Sequence, residues 1–162
     1  MKHKSLTKEG KKWAKAAVKD MKKRTNKKKI PKKYTTRLSI KDKKKQTKNI
    51  KRAIRSYKKG KYVDRPKLKS YKSKKSQWVT KFEKKYGENI KTYKEISKVT
   101  GIPTKALRAV VKKGKGAYYS SGSRPNQTAE SWGKARMYSY IMGGPTRKYD
   151  KHITDKYNVK LP

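Results

Sequence analysis

Fifty-two of the 162 residues are lysine or arginine and ten are aspartate or glutamate, a formal net charge of +42. A chain with so much like charge repels itself, so its compact form needs counter-charge from salt or an acidic partner. The same imbalance starves it of core: Leu, Ile, Val and Phe make up 22 residues, about 14% of the chain, a level at which a uniformly packed domain is not expected. Of the basic residues 43 are lysine and 9 arginine. Ammonium groups act as hydrated point charges, whereas the guanidinium fork suits bidentate readout, so the balance favours neutralisation over sequence reading.

Other classes fall away quickly. With no cysteine the chain has no disulfide framework, thiol chemistry or cysteine-based zinc site, and two histidines, His3 and His152, leave little for metal. Neither metal nor cofactor is expected. Apolar runs are too short for a signal peptide or a spanning helix. Ten acids show no pairing on a helix face, and Ser120, Ser121 and Ser123 have no neighbouring base, so the expectation is no enzyme and no small-molecule substrate.

Charge divides the chain unevenly. Residues 1–75 carry 33 Lys/Arg against 4 acids, and residues 76–162 carry 19 against 6. The first part reads as a basic extended arm, disordered unless bound, and the second as a small helical domain. Two thin stripes interrupt the arm: Trp13, Ala16, Ala17 and Met21 after Thr7, and Ile50, Ala53, Ile54 and Tyr57 after Thr47, ending before Gly60. Neither is wide enough to stand alone in water, so each should order on docking, with Trp13 and Tyr57 as anchors. Lysine runs, Lys27, Lys28 and Lys29 and then Lys43, Lys44 and Lys45, should be extended and face the partner.

Downstream, Ser76 caps a helix carrying Trp78, Val79, Phe82 and Tyr86 and closed by Gly87. Residues 92–99, a Gly101-Ile102-Pro103-Thr104 turn and residues 105–113 read as helix, turn, helix, with Ile96, Val99, Ile102, Leu107 and Val110 inward. Residues 114–127 read as a polar, glycine-rich loop. Thr128 starts the next helix, with Glu130 in its first turn and Trp132, Ala135, Ser139 and Met142 on one face, stopped by Gly143-Gly144-Pro145.

The segment 93–110 resembles a helix-turn-helix, with small Ser97 at the crossing and Gly101 in the turn; in that family the second helix enters the major groove. By that resemblance Lys105, Arg108 and Lys112 would face DNA. A helical hairpin that only builds core satisfies the same pattern, and this second helix offers one arginine and neither Asn nor Gln for reading bases. The glycine-serine loop lacks the order G-x-x-x-x-G-K-[ST] of a phosphate loop. Arg124 and Arg136 could hold an anion at the following helix start, or pair internally with Glu130 or Asp150.

Across residues 92–155 the order Gly101-Ile102-Pro103, Gly116-Ala117-Tyr118, Ser123-Arg124-Pro125, Gln127-Thr128, 132–139 (Trp-Gly-Lys-Ala-Arg-Met-Tyr-Ser), Gly143-Gly144 and Asp150-Lys151 resembles an uncharacterised domain of large double-stranded DNA viruses, especially those of algae, and of marine phages. One departure is Tyr119-Ser120-Ser121, where an arginine-containing stretch is common in that family. The resemblance implies a viral setting and carries over no catalytic residue. In that setting the expectation is a virion structural protein, a minor capsid component lying in the capsid interior, made in the host cytoplasm or reaching the nucleus. It would thread its arm along acidic surfaces of capsid proteins, with DNA or anionic inner-membrane lipid as further partners. The alternative is a DNA-binding, condensing core protein that uses the arm on phosphates and the helix-turn-helix on the groove.

Overall fold

A helix begins within the stretch that composition marks as an extended arm. Ser39 accepts a hydrogen bond from the Asp42 amide and caps α1, Ile40–Tyr57, with Asp42 in the first turn. Lys43, Lys44 and Lys45 are therefore exposed helical side chains, because the cap lies upstream of them. The buried stripe of α1 is only Gln46, Ile50 and Ala53, at i, i+4 and i+7, which places all three on one face. Ile54 and Tyr57 are half-buried at its margin.

The computed structural model describes residues 29–162, of which Pro31–Pro162 form one compact unit. The compact unit thus starts well upstream of the compositional break at 75/76. The described residues hold seven α-helices, a 3₁₀ turn at Lys32–Tyr34, and no strand. The helix-poor stretch 58–76 still contributes Leu68 to the interior, at 1% exposure. The first apolar stripe, Trp13 to Met21, lies outside the described residues, as do Trp13's role as an anchor and Lys27 and Lys28. Lys29 is exposed.

From residue 76 the caps fall where their side chains dictate. Ser76 accepts from the Trp78 amide and starts α2, Gln77–Tyr86, which ends at Gly87 with φ 107°. Thr92 and Glu95 form a reciprocal capping box at the head of α3, Tyr93–Thr100, and Gly101 ends it in the left-handed region, φ 72°. α4 follows as Thr104–Ser121, α5 as Ala129–Ile141 behind a Thr128–Ser131 box, then the short α6, Thr146–Tyr149, and α7, Lys151–Lys156. Phe82, Ile96, Ile102, Leu107, Val110, Val111, Met137, Tyr140 and Ile141 form one buried cluster, closed by Ile153 and Val159 from the C-terminal end.

Three expectations need correction. Val99 is 39% exposed: Ile96 and Thr100, one helical turn apart, take the inward side of α3 and leave Val99 outside. The glycine-rich stretch is no loop until Gly122; α4 runs straight through Gly114 and Gly116. On α5 only Ser139 of the expected face is buried, with Trp132, Ala135 and Met142 half-buried; the inward residues are Gly133, Met137, Ser139, Tyr140 and Ile141. α5 is contacted by α2, α4 and α6, so no single face can serve.

The reason for glycine at 114 is proximity. A Cβ on Gly114 would lie 2.7 Å from the Gly133 Cα, and one on Gly133 would lie 2.8 Å from the Val111 carbonyl oxygen. The two glycines let α4 and α5 touch backbone to backbone, and this is the most extensive helix–helix contact in the unit.

Candidate functional site

The helix-turn-helix-like hairpin is rigidly specified. Glu95 Oε2 accepts from the Thr92 and Lys91 amides at 2.9 and 3.0 Å, and the Thr92 amide chiefly holds the Glu95 carboxyl below its ordinary range. Thr100 Oγ1 donates to the Ile96 carbonyl at 2.7 Å and accepts from the Ile102 amide at 3.3 Å, which pins the turn. With Ala106, Leu107, Val110 and Val111 directed into the core, α4 presents Lys105, Arg108 and Lys112 to solvent at i, i+3 and i+7. The Arg108 guanidinium lies 5.5 Å from the Tyr93 ring centroid, so its plane is braced against the first helix of the hairpin. The structure brings these three cations together as one stripe.

Arg136 does not join them. Its Nε and Nη2 donate to the two carboxylate oxygens of Asp150 at 2.8 Å each, and Asp150 is fully buried. Lys113 Nζ lies 3.4 Å from the same carboxylate and within 3.0 Å of His152 Nε2. Of the two roles open to Arg136, the structure takes the internal pair. Removing one member of such a buried pair costs about 3–5 kcal/mol. Arg124, in the segment before α5, is exposed, while Glu130 pairs with Lys115.

Other arginines are likewise engaged inside the fold. Arg65 donates to Tyr118, Val63 and Asn49 oxygens and lies over the Tyr118 ring at 4.4 Å. Arg147 donates to the Tyr140, Ile141 and Pro162 carbonyls. Most of the acids are occupied too: Asp42 by Ser70, Asp64 by Tyr119, Glu83 by Lys75, and Asp155 by Lys151. What remains toward solvent is mostly lysine, together with Arg37, Arg52, Arg55, Arg108 and Arg124.

Tyr57 packs within the molecule. Its ring stacks on Tyr119 with centroids 6.3 Å apart and planes 9° apart, and meets Tyr62 edge-on at 5.9 Å. From Tyr57 an open groove of about 640 Å³ runs between α4 and α7, lined among others by Lys112, Lys113, Gly116, His152, Lys156 and Tyr157. Sequence reasoning missed this feature. The signal available was the ratio of 12 tyrosines to one phenylalanine, which marks aromatics whose polar tips reach water. Among the described residues no three His, Asp or Glu side chains gather as a metal site, and no helix is long and apolar enough to cross a membrane.

Fold and site together define a small, all-helical, strongly basic domain with an outward cationic hairpin. Residues 31–158 match the model of a family of unknown function, DUF5824, and the chain belongs to that family. The match extends well upstream of 92–155, taking in α1. No curated protein and no solved structure matches the chain.

Proposed function

We propose that the chain is a nucleic-acid-binding protein, in the setting of a large double-stranded DNA virus that the sequence resemblance implies, and that the hairpin's outer stripe docks on phosphates. The observation that carries this reading is the exposure of Lys105, Arg108 and Lys112 in one line on the second helix of a rigid hairpin. Residues 31–162 carry 39 Lys/Arg against 8 acids, and those acids are mostly tied up internally, so the outer field is positive with little self-neutralisation. A phosphate backbone supplies the missing counter-charge and releases condensed cations in doing so. The placement of 31–75 in the compact unit favours this reading over a 75-residue threaded arm.

A minor capsid component on acidic protein surfaces is the second reading. It is favoured by the poverty of base-reading side chains on α4, whose outward stripe has one arginine and two lysines. Such a surface neutralises carboxylates as readily as phosphates.

The test is duplex affinity across a salt series. Wild type should show log K falling steeply with log salt, and Ala at Lys105, Arg108 and Lys112 together should make the slope shallower by about 0.9 for each phosphate no longer neutralised. An unchanged slope removes the hairpin from the interface. Retention of the protein at fixed stoichiometry on DNA-free shells, with no duplex binding, would instead establish the capsid reading.

A further inference from the structure

The groove below Tyr57 has a composition that phosphate neutralisation alone does not require. Its floor on α4 is small: Ala109, Gly116, Ala117 and Ser120. A Cβ on Gly116 would sit 3.6 Å from the Tyr57 hydroxyl, so any larger side chain there would begin to fill the space. Lys112, Lys113 and Lys156 supply positive charge, and none of the lining residues is acidic. Asp150 lies beneath, already neutralised by Arg136 and Lys113.

At one end this cationic groove runs into an aromatic platform. Tyr57 is shared: it lines the groove and belongs to the Tyr57–Tyr62–Tyr119 cluster. Tyr62 is 69% exposed yet held in place, meeting Tyr57 edge-on at 5.9 Å and Tyr119 at 5.0 Å. The Tyr119 hydroxyl donates to Asp64 at 3.3 Å and so anchors the cluster to the connection after α1. A large, fixed, exposed ring beside a lysine-lined channel is the arrangement that takes a base on the aromatic face and its phosphates on the cations. A duplex keeps its base faces stacked inside and offers only edges and backbone, so it has nothing for Tyr62.

We propose that the groove between α4 and α7, with Tyr62 and Tyr57 at its mouth, binds a segment of single-stranded nucleic acid, a base stacking on Tyr62 and the adjoining phosphates lying along Lys112, Lys113 and Lys156. This rests on the nucleic-acid reading above and adds a second strand form at a second surface. Lys112 is common to both surfaces, while Tyr62, Tyr57 and Lys156 are not part of the hairpin stripe.

The experiment measures fluorescence anisotropy of a labelled twelve-nucleotide oligo-dT and of a duplex of the same length with the full chain. Tyr62→Ala should weaken oligo-dT binding about tenfold, within the range for losing one stacked base, and leave duplex binding unchanged. Tyr62→Phe keeps the ring and should bind oligo-dT like wild type. Lys156→Ala should make the oligo-dT salt slope shallower by about 0.7, one single-strand phosphate. If Tyr62→Ala, with an unchanged circular dichroism spectrum, binds oligo-dT as wild type does, the groove proposal is overturned while duplex binding through α4 stands. If wild type binds neither oligonucleotide in a salt-dependent manner, the nucleic-acid reading fails with it. Poly-glutamate competing as well as oligo-dT for the wild type, and equally against Tyr62→Ala, would assign the groove to acidic polymers in general and overturn the proposal too.

Discussion

The compact unit closes in two different ways. Downstream of residue 76 it closes by packing: Gly114 and Gly133 bring α4 and α5 into backbone contact, and a continuous apolar cluster fills the space around them. Upstream, residues 31–75 bury Tyr34, Ile50, Ala53 and Leu68 as their main apolar contribution. This segment therefore has far less apolar burial per residue than the part downstream.

A polar seam registers this segment on the rest of the unit. Gln46, fully buried, donates to the Ser123 carbonyl at 3.2 Å. Asn126 accepts from the Leu68 amide at 2.7 Å and donates to the Leu68 and Tyr71 carbonyls at 3.0 and 3.2 Å. The Tyr118 hydroxyl accepts from the Arg65 amide at 2.9 Å and donates to the Gln127 carbonyl at 3.0 Å. A chain poor in aliphatic residues can thus still join a fold if its few apolar contacts are registered by long-range hydrogen bonds.

The largest effect should come from the packed side. In Gly133→Ala the new methyl meets the Val111 backbone, which cannot rotate away, so α4 and α5 must separate. Thermal or urea unfolding should show a drop in stability of about 1–3 kcal/mol, with protection falling throughout 76–162. An Ala variant as stable as wild type would mean that the crossing is looser than these distances state.

An effect confined to one part of the unit is expected at the seam. Asn126 sits at φ 56°, so Asn126→Gly keeps the backbone comfortable and removes only the three hydrogen bonds. Hydrogen exchange should rise for α1 and residues 61–75, by a local destabilisation of about 1–3 kcal/mol, while α4 and α5 keep their protection. A uniform rise across both halves would show that seam and core unfold as one and would dissolve the distinction between them.

The packed half was the legible half. Ser76 and Thr128 announced their helices because a capping side chain acts within three residues of itself. Phe82, Ile96, Ile102, Leu107 and Val110 stood at helical spacing and are buried. Gly114 and Gly116 misled because glycine serves flexibility and close approach alike, and only the partner helix tells which. The seam was invisible since Gln46–Ser123 and Asn126–Leu68 span 77 and 58 residues of sequence, and polar side chains carry no periodic mark. At the candidate site, Lys105, Arg108 and Lys112 were readable as one helical stripe. The groove was not, because its walls come from α1, α4, α5 and α7 and its mouth from Tyr57 on α1 and Tyr62 in the connection after it.

Acid should separate the halves by a smaller margin still. Asp42 Oδ2 accepts from the Ser70 hydroxyl and amide at 2.6 and 3.1 Å, and the hydroxyl bond chiefly lowers the Asp42 pKa; Glu95 is lowered by the Thr92 amide at the head of the hairpin. A carboxyl with a folded pKa below its unfolded one stabilises fully above the ordinary carboxylate range, about 4, and loses that contribution as pH falls through the folded value. Wild type should therefore weaken between about pH 5 and pH 2 at both places, modestly, because both groups face solvent. Asp42→Asn should lower protection of α1 at pH 5 and flatten its acid dependence, leaving the hairpin's dependence intact. Glu95→Gln should do the reverse. The acid-driven rise in net charge acts on every variant alike, so an acid profile for α1 that is the same in Asp42→Asn as in wild type would show the Asp42–Ser70 pair to contribute nothing to the stability of α1.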